Sequence, residues 1–595
     1  MFFYLNHSFT SPEPLTICFL GEKESDISLT TNTLYIKIGV QRIESLELQQ
    51  GKLILLGDPI FNNRETLKNV ISHGKLQENK LYEAVRGHYY WFFIRPEAVE
   101  CGSAFGAIYP IYYHRGPAGV ALSSSAFYLA EQTGTVQLDQ RNLLERLLFN
   151  YPFFNSTWWQ EIKLLPTHRH LAIYKDQVNI AGDFEIFDYF GDGNDASAKT
   201  LEHLAEVFQQ ETQLFLPDNE EFGVSLTGGF DGRTLVAAAR KAGRNFTVFC
   251  YGRSGSSDLV YSEYLAKKLK LPHFAVRLDA DYLVKISQPS ARRFMSLTEY
   301  NGNWGRPHYD YAAQLLSQQF NYILTGNFGS ELFRALHSNG PVMSSCLTAL
   351  FSNNYAGWKD YLQQVTYSWH PTLFQNELES LISDLENYLA KLKHLEPNQQ
   401  FYYFVYNELF RKYFGAEIVM QRHYLNNRTP YLNFNLTQAL NKTIWSGVHS
   451  AIFEKNLLKR RKGQIFYATF LRQSDPILYH LKTNKGYRPA DLLESWRAPF
   501  LIGGGIYQKY VKKPENDAHA VAAFFREYHV KIAEPILQNG ASPFIKDQLH
   551  QSLQDIREGK DLKKWIQFYS IVSGWAAAGA KTTSAKYDTV ITKSK

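Results

Sequence analysis

Up to about residue 190 the apolar positions fall in short runs, LTICFL, KLILLG, YYWFFIR and GVALSSS, separated by Gly, Pro, Asn and Asp. Runs of that length between turn-forming residues predict a mainly β domain. One stretch, RNLLERLLFNY at Arg141 to Tyr151, has helical spacing instead, and GDFEIFDYFGDGNDASAKT, rich in Gly, Asp and Ser, reads as a connector. From about Lys199 the period changes. A helix is predicted through LEHLAEVFQQETQLF, then a strand at Phe222 to Leu226, a glycine loop and a helix at Thr234 to Ala242. A strand at Phe246 to Tyr251, a helix at Leu259 to Leu269, and strands near Phe274 to Leu278 and Tyr322 to Thr325 follow. That alternation predicts a parallel sheet flanked by helices. Beyond residue 350 the pattern is helical: Leu378, Leu381, Leu385, Leu389 and Leu392 share one face, a packing stripe. The polar end, AKTTSAKYDTVITKSK, reads as frayed.

At 595 residues the chain is too long for one ordinary core, so two or more domains are expected. A net charge of +6 is spread thinly, without the concentrated basic face that nucleic acid would select. Cys18, Cys101, Cys250 and Cys346 are scattered with neither a CxxC pair nor metal-ligand spacing, which fits a reduced, cytoplasmic setting. The opening MFFYLNHSFTSPEP lacks the basic region and long apolar run of a signal peptide, and no apolar stretch has membrane-spanning length. Neither nucleic acid nor membrane is therefore an expected partner.

The most informative stretch is FGVSLTGGFDGRTLVAAA, Phe222 to Ala239. A buried strand runs into small residues and then into a helix. Gly228 and Gly229 let the backbone turn tightly and bring its N–H groups close to a ligand. Thr227 adds a hydroxyl, and the helix aims its positive end at the same point. Together these make an anion site of phosphate size at the carboxyl end of a strand. Asp231 is too acidic to touch phosphate directly; a magnesium ion bridging the two removes the conflict. The loop is neither GxxxxGK[ST] nor GxGxxG.

SLTGGFDGR resembles the SGGxDS pyrophosphate loop of asparagine synthetases, β-lactam synthetases and lasso-peptide cyclases, with Gly232 at the final serine position. Three further segments follow in that family's order: DLVYSEYLAKKL from Asp258, LTGNFGSELFRA from Leu324 (family SGxGxDELFGG), and NNRTPYLN from Asn426 (family ExRxPFLD). NKGYRPADLL from Asn484 is similar to the segment carrying a charge-stabilising basic residue, here Lys485. The resemblance covers roughly residues 200 to 500. It implies an α/β fold with a Rossmann-like α/β/α PP-loop ATP pyrophosphatase domain and a helical extension over 501–595. It also implies ATP and Mg2+ as cofactors, with nucleotide contacts from Ser225, Leu226, Thr227, Gly228, Gly229, Phe230, Asp231, Gly232, Arg233 and Gly326. Asp231 is the implied metal ligand; Lys485, Glu331 and Arg428 are the implied catalytic residues. The implied chemistry is adenylation of a carboxylate followed by attack of an amine.

The pattern breaks at three carboxylates. The family's DELF aspartate is Ser330, the ExR glutamate is Asn426 and the PFLD aspartate is Asn433. Either magnesium is held by Asp231 with Glu331 or waters, or the protein binds nucleotide or a partner without turnover. Lys485 is either a solvated lysine or a group that neutralises charge in the condensing step. Arg428 is either a structural ion-pair residue or a phosphate or carboxylate clamp. The run Lys459-Arg460-Arg461-Lys462 is either a solvated face or a hold for an acidic substrate or leader peptide.

In residues 1–190, RGHYYWFFIRPEAVECGSAFGAIYPIYYHRGPAGVALSSS resembles a glutaminase domain, the match resting on Gly87 and the Pro110 to Tyr113 run. The resemblance implies an N-terminal-nucleophile-like αββα domain. Position 2, where the family carries its nucleophilic cysteine, is Phe2, and Cys18 reads as core. Without the nucleophile the amine is expected on the substrate itself, as in peptide or natural-product cyclisation from a precursor, or as free ammonia in an asparagine synthetase-like reaction.

Overall fold

The structure, a computed structural model, describes residues 2–8, 16–20, 34–35, 42–48, 50–72, 75–96, 98–117, 119–134, 136–174, 177–283, 287–333, 342–352, 357–452, 462–494, 496, 518–538 and 542–582. In the run KLILLG, alternate side chains go to opposite faces of a strand. Ile54 and Leu56, with Tyr90 and Phe92 of the neighbouring strand, join the main core. Leu53 and Leu55, with Trp91 and Phe93, pack on the other face against Leu67, Val70, Leu76 and Leu81. Both faces of this sheet are therefore covered. It has six antiparallel strands, in the order 177–181, 170–174, 98–103, 89–95, 51–57, 42–48. A second six-stranded sheet stacks on it through Phe3, whose ring lies 4.9 Å from that of Tyr90 and 5.2 Å from that of Phe92. The outer face of that second sheet is covered by the helix Ala126–Thr133, where Ala126, Leu129 and Ala130 meet Tyr112, Ile162 and Leu164. Phe2 and Cys18 lie on its strands, with side chains outside the described residues.

The second half contains a five-stranded parallel sheet in the order 273–277, 247–252, 222–225, 322–324, 426–428. Successive strands add first to one side of Phe222–Ser225 and then to the other. The carboxyl end of that strand is therefore a topological switch point, the position at which open α/β sheets leave a crevice. The helices between strands include Asp231–Lys241 and Ser257–Leu269. Two differences from the sequence reading bear on the site. The helix expected from Thr234 starts at Asp231, closed by the Thr234 N–H donating to the Phe230 carbonyl at 2.9 Å. Asp231, Gly232 and Arg233 are therefore its first turn. The NNRTPYLN segment also supplies an unexpected edge strand, Asn426–Arg428, parallel to Tyr322–Leu324.

The leucine stripe lies on helix Gln375–Leu392, with Leu378, Leu381, Leu385 and Leu392 buried. Helix Val405–Phe414 is a π-helix and continues directly into Gly415–Gln421. Helices Ala518–Gln538, Pro543–Arg557 and Leu562–Thr582 pack together, and the last also packs on Gln140–Phe149 and Ala126–Thr133 of the first half. Buried residues from Phe3 to Val572 form one continuous cluster, so the two halves share a core. Cys101, Cys250 and Cys346 are buried and form no disulfide among the described residues. Among the described residues no helix is long and apolar enough to cross a membrane.

Candidate functional site

The strand Phe222–Ser225 is buried, and its extension is pinned sideways by the Leu226 N–H donating to the Phe249 carbonyl at 2.9 Å. Leu226 is wholly buried, which fixes where the chain begins its turn. Thr227 then accepts the Gly229 N–H on its hydroxyl at 3.3 Å, so that amide is spent inside the loop. The helix that follows has no side-chain cap. Its first-turn amides, at Asp231 to Arg233, have no acceptor within the helix, the arrangement that favours an anion at a helix start. Phe230 and Arg233 face away from this end. Phe230 stacks on Tyr467 with centroids 5.6 Å apart. Arg233 is fully buried and donates to the carbonyls of Leu478 (3.2 Å), Leu481 (2.7 Å) and Lys482 (2.9 Å). Burial pulls its guanidinium down to about 10.

Those three bonds aim the next turn at the glycine loop. The Asn484 N–H donates to the Gly228 carbonyl at 3.0 Å, and the Thr483 hydroxyl and N–H both meet the Tyr487 carbonyl at 2.8 Å. Gly486 sits at φ +85°, where other residues are strained. Lys485 is thus carried on a tight turn against the loop, although 256 positions separate residues 228 and 484. Gly228 permits the contact: a Cβ there would overlap Asn484 Cβ.

Asp231 points towards the segment after Tyr322–Leu324. Its Oδ2 accepts the Ser330 hydroxyl at 2.7 Å and its Oδ1 the Tyr467 hydroxyl at 2.5 Å. Gly326 lets the carboxylate lie this close, since a Cβ at that position would be 2.7 Å from Asp231 Cβ. The two loops of the resemblance therefore meet, with Ser330 in contact where the family carries a second aspartate. The carboxylate of Glu331 acts on Tyr413, and its carbonyl accepts the Tyr402 hydroxyl at 2.6 Å. Among the described residues no cluster of three His, Cys, Asp or Glu side chains forms a metal site. One carboxylate fits Mg2+ that arrives with phosphates and keeps its waters, not one caged by protein.

Beyond the loop lies a cavity of about 300 Å3, at the small end of ligand pockets. Ser225 and Thr227 line it, together with residues that sequence reasoning missed: Arg253 and Asp258 after the second strand, an aromatic wall of Tyr251, His308 and Tyr309, and Phe524 from the C-terminal helices. His308 and Tyr309 rings lie 4.6 Å apart, each 5.5 Å from Tyr251. Burial, reinforced by Arg306, pushes His308 down to about 3, so its imidazole is neutral at pH 7. The switch-point rule could have flagged Arg253 and Asp258; His308 and Phe524 carried no local signal.

Arg428 lies elsewhere. It is buried and donates to Asp58 of the first half from Nε (2.6 Å) and Nη2 (2.8 Å), and to the Phe215 carbonyl from Nη1 at 2.8 Å. This is the ion-pair alternative rather than the clamp: the fork is occupied within the protein. Asn433 caps the helix Phe434–Asn441 by accepting the Leu436 N–H at 3.0 Å, and it donates to Glu211 at 2.6 Å. Glu211 also takes both arms of Arg86 at 2.8 Å, so an aspartate at 433 would place like charges together. Asn426 is buried at the start of the edge strand. Of the basic run, Lys459 to Arg461 lie outside the described residues.

Residues 203–464 match the family model described as asparagine synthase, which supports a relationship to the asparagine synthetase family, a family of carbon–nitrogen ligases. No curated protein matched. Among solved structures, glutamine phosphoribosylpyrophosphate (PRPP) amidotransferase from B. subtilis, complexed with ADP and GMP, matches at 9% identity. The match covers 46% of this chain and 59% of that one, with a TM-score of 0.17, a superposition too poor to bear on fold or function.

Proposed function

We propose that this chain is an ATP-dependent, AMP- and pyrophosphate-forming amide synthetase. A substrate carboxylate attacks the α-phosphate of ATP, pyrophosphate leaves, and an amine then displaces AMP from the acyl-adenylate to form the amide. The observation that carries this reading is the 3.0 Å bond from Asn484 to Gly228, which sets the Lys485 turn against the glycine loop, whose Thr227 lines the cavity. Backbone amides at the helix start bind phosphate oxygens, and the aromatic wall receives the rest of the nucleotide. Lys485 offsets charge that develops on the phosphates. Asp231 would hold Mg2+, which supplies charge neutralisation at the phosphates when bound. Ser330 and Tyr467 orient that carboxylate through their hydroxyls.

The amine is carried on the substrate, in a cyclisation of a peptide or natural product. An amine held beside the acyl-adenylate reaches an effective molarity of roughly 10⁵ M or more. Ammonia with a free carboxylate is the alternative within the same chemistry. A second reading, nucleotide binding without turnover, is favoured by Ser330, Asn426 and Asn433, since Asn433 serves the joint between the halves and Asn426 starts a strand.

The test is ATP labelled at the α-phosphate, assayed with aspartate plus ammonium, with glutamine in place of ammonium, and with peptides bearing both carboxylate and amine. AMP with equimolar pyrophosphate supports the reading, and Asp231→Ala should abolish both without loss of folding. ADP formation, or unchanged turnover in that variant, rejects it.

A further inference from the structure

Between the two halves, apart from the nucleotide cavity, lies a second cavity of about 60 Å3. Its wall carries three cations, Arg146, Arg411 and Lys412, against one carboxylate, Glu299. Buried charges are normally paired. Arg411 and Lys412 share the carboxylate of Glu408, and Lys412 also donates to the Phe154 carbonyl at 2.5 Å. Glu299 accepts the Ser125 hydroxyl and, at 2.9 Å, the Ala126 N–H.

Arg146 differs from all of these. It is 4% exposed, and its guanidinium meets only amide oxygens: Nε donates to Asn142 and Nη2 to Asn301, both at 2.8 Å. Its flat face lies on the Trp158 ring, 3.6 Å from the centroid. Among the described residues no carboxylate pairs with it and no acceptor meets Nη1. Burial pulls Arg146 down to about 9, consistent with a cation short of counter-charge. The surrounding backbone is unusual as well. Ala107, Phe154, Glu299 and Tyr300 have φ between +46° and +57°, which residues with a Cβ avoid and which tends to persist at functional sites. The π-helix that presents Arg411 and Lys412 is a further rare element of the same kind.

We propose that this cavity binds a small carboxylate of two or three carbons, held by the open edge of Arg146 and bridging the two halves. A guanidinium edge matches the planar oxygens of a carboxylate. Its volume equals the room for a few waters, too little for a nucleotide or peptide. Ile108, Leu164, Leu297 and Val419 line part of the cavity and suit an alkyl end.

Calorimetric titration of the full chain with sodium acetate tests this, against sodium chloride at equal ionic strength and against acetamide, the uncharged isostere. Saturable heat is expected for acetate alone, with the dissociation constant raised at least tenfold in Arg146→Met. Ala416→Leu, which fills the cavity and keeps every charge, should abolish binding while circular dichroism stays native. It decides the matter where Arg146→Met fails to fold. No saturable heat beyond that of chloride, or wild-type binding in folded Ala416→Leu, overturns the proposal. Nucleotide turnover is not read, so the result is independent of the ligase reading.

Discussion

Replacing Asp58 with alanine separates the two roles open to Arg428. In the native protein the guanidinium makes two bonds to the Asp58 carboxylate, at 2.6 and 2.8 Å, and stacks 4.3 Å from the Tyr322 ring centroid. Burial opposes its charge, but Asp58 outweighs that effect and holds the Arg428 guanidinium above its ordinary range. At about 4 Å between charge centres and an effective dielectric of about 20, the attraction is about 4 kcal/mol. Removing one partner leaves the other charge buried and uncompensated, at a loss of about 3–5 kcal/mol. The remaining bond to the Phe215 carbonyl keeps the loss towards the lower figure. Against a typical total of about 5–15 kcal/mol, that is a large share. Asp58→Ala and Arg428→Met should each lower the first unfolding midpoint in guanidinium, followed by tryptophan fluorescence. The double variant Asp58→Leu/Arg428→Met should recover most of the loss, because an apolar pair carries no desolvation penalty. A loss below about 1 kcal/mol in Asp58→Ala would refute the reasoning. So would an Arg428→Met variant that keeps its midpoint yet releases no pyrophosphate, since the guanidinium would then belong to the substrate.

Gly228→Ala should push the Lys485 turn off the glycine loop; with a shift near 1 Å, pyrophosphate release should fall about a hundredfold while circular dichroism stays native. Phe524→Ala removes a ring from the cavity wall, and nucleotide affinity measured by titration should weaken about ten- to a hundredfold, in line with about 1.5–3 kcal/mol for a buried ring; unchanged affinity would detach the C-terminal helices from the site. Burial pushes the Glu299 carboxyl from 4.5 up to about 7, so its protonated form favours folding. That contribution is complete below pH 4.5 and lost as pH rises through 7, roughly 3 kcal/mol over the span. Glu299→Gln should flatten the fall of the unfolding midpoint across that window, and an unchanged slope would assign the dependence to another group.

Local pattern made several features legible from the sequence. Strand Phe222–Ser225, the glycines after it and helix Ser257–Leu269 were visible because turn chemistry and apolar period are written in consecutive residues. The leucine stripe of Gln375–Leu392 was visible for the same reason. The Asp231 helix start was misjudged by three residues. Gly-Arg-Thr reads as a weak helix opening, whereas in the fold the Ser330 and Tyr467 hydroxyls hold Asp231 at the helix start and the carbonyls of Leu478, Leu481 and Lys482 hold Arg233.

By itself, then, the sequence determined the alternation of strands and helices around Phe222–Ser225, the glycine turn after that strand and the period of its buried faces, since those depend on neighbours in the chain. Only tertiary structure decided that Lys485 lies against Gly228, that Arg428 spends its charge on Asp58 and that Arg146 faces a cavity with no carboxylate paired to it among the described residues. An arginine or lysine carries the same letters whether it meets a ligand, a carboxylate or a void. Which of these it meets depends on residues hundreds of positions away, and so on how two halves with one continuous core close on each other.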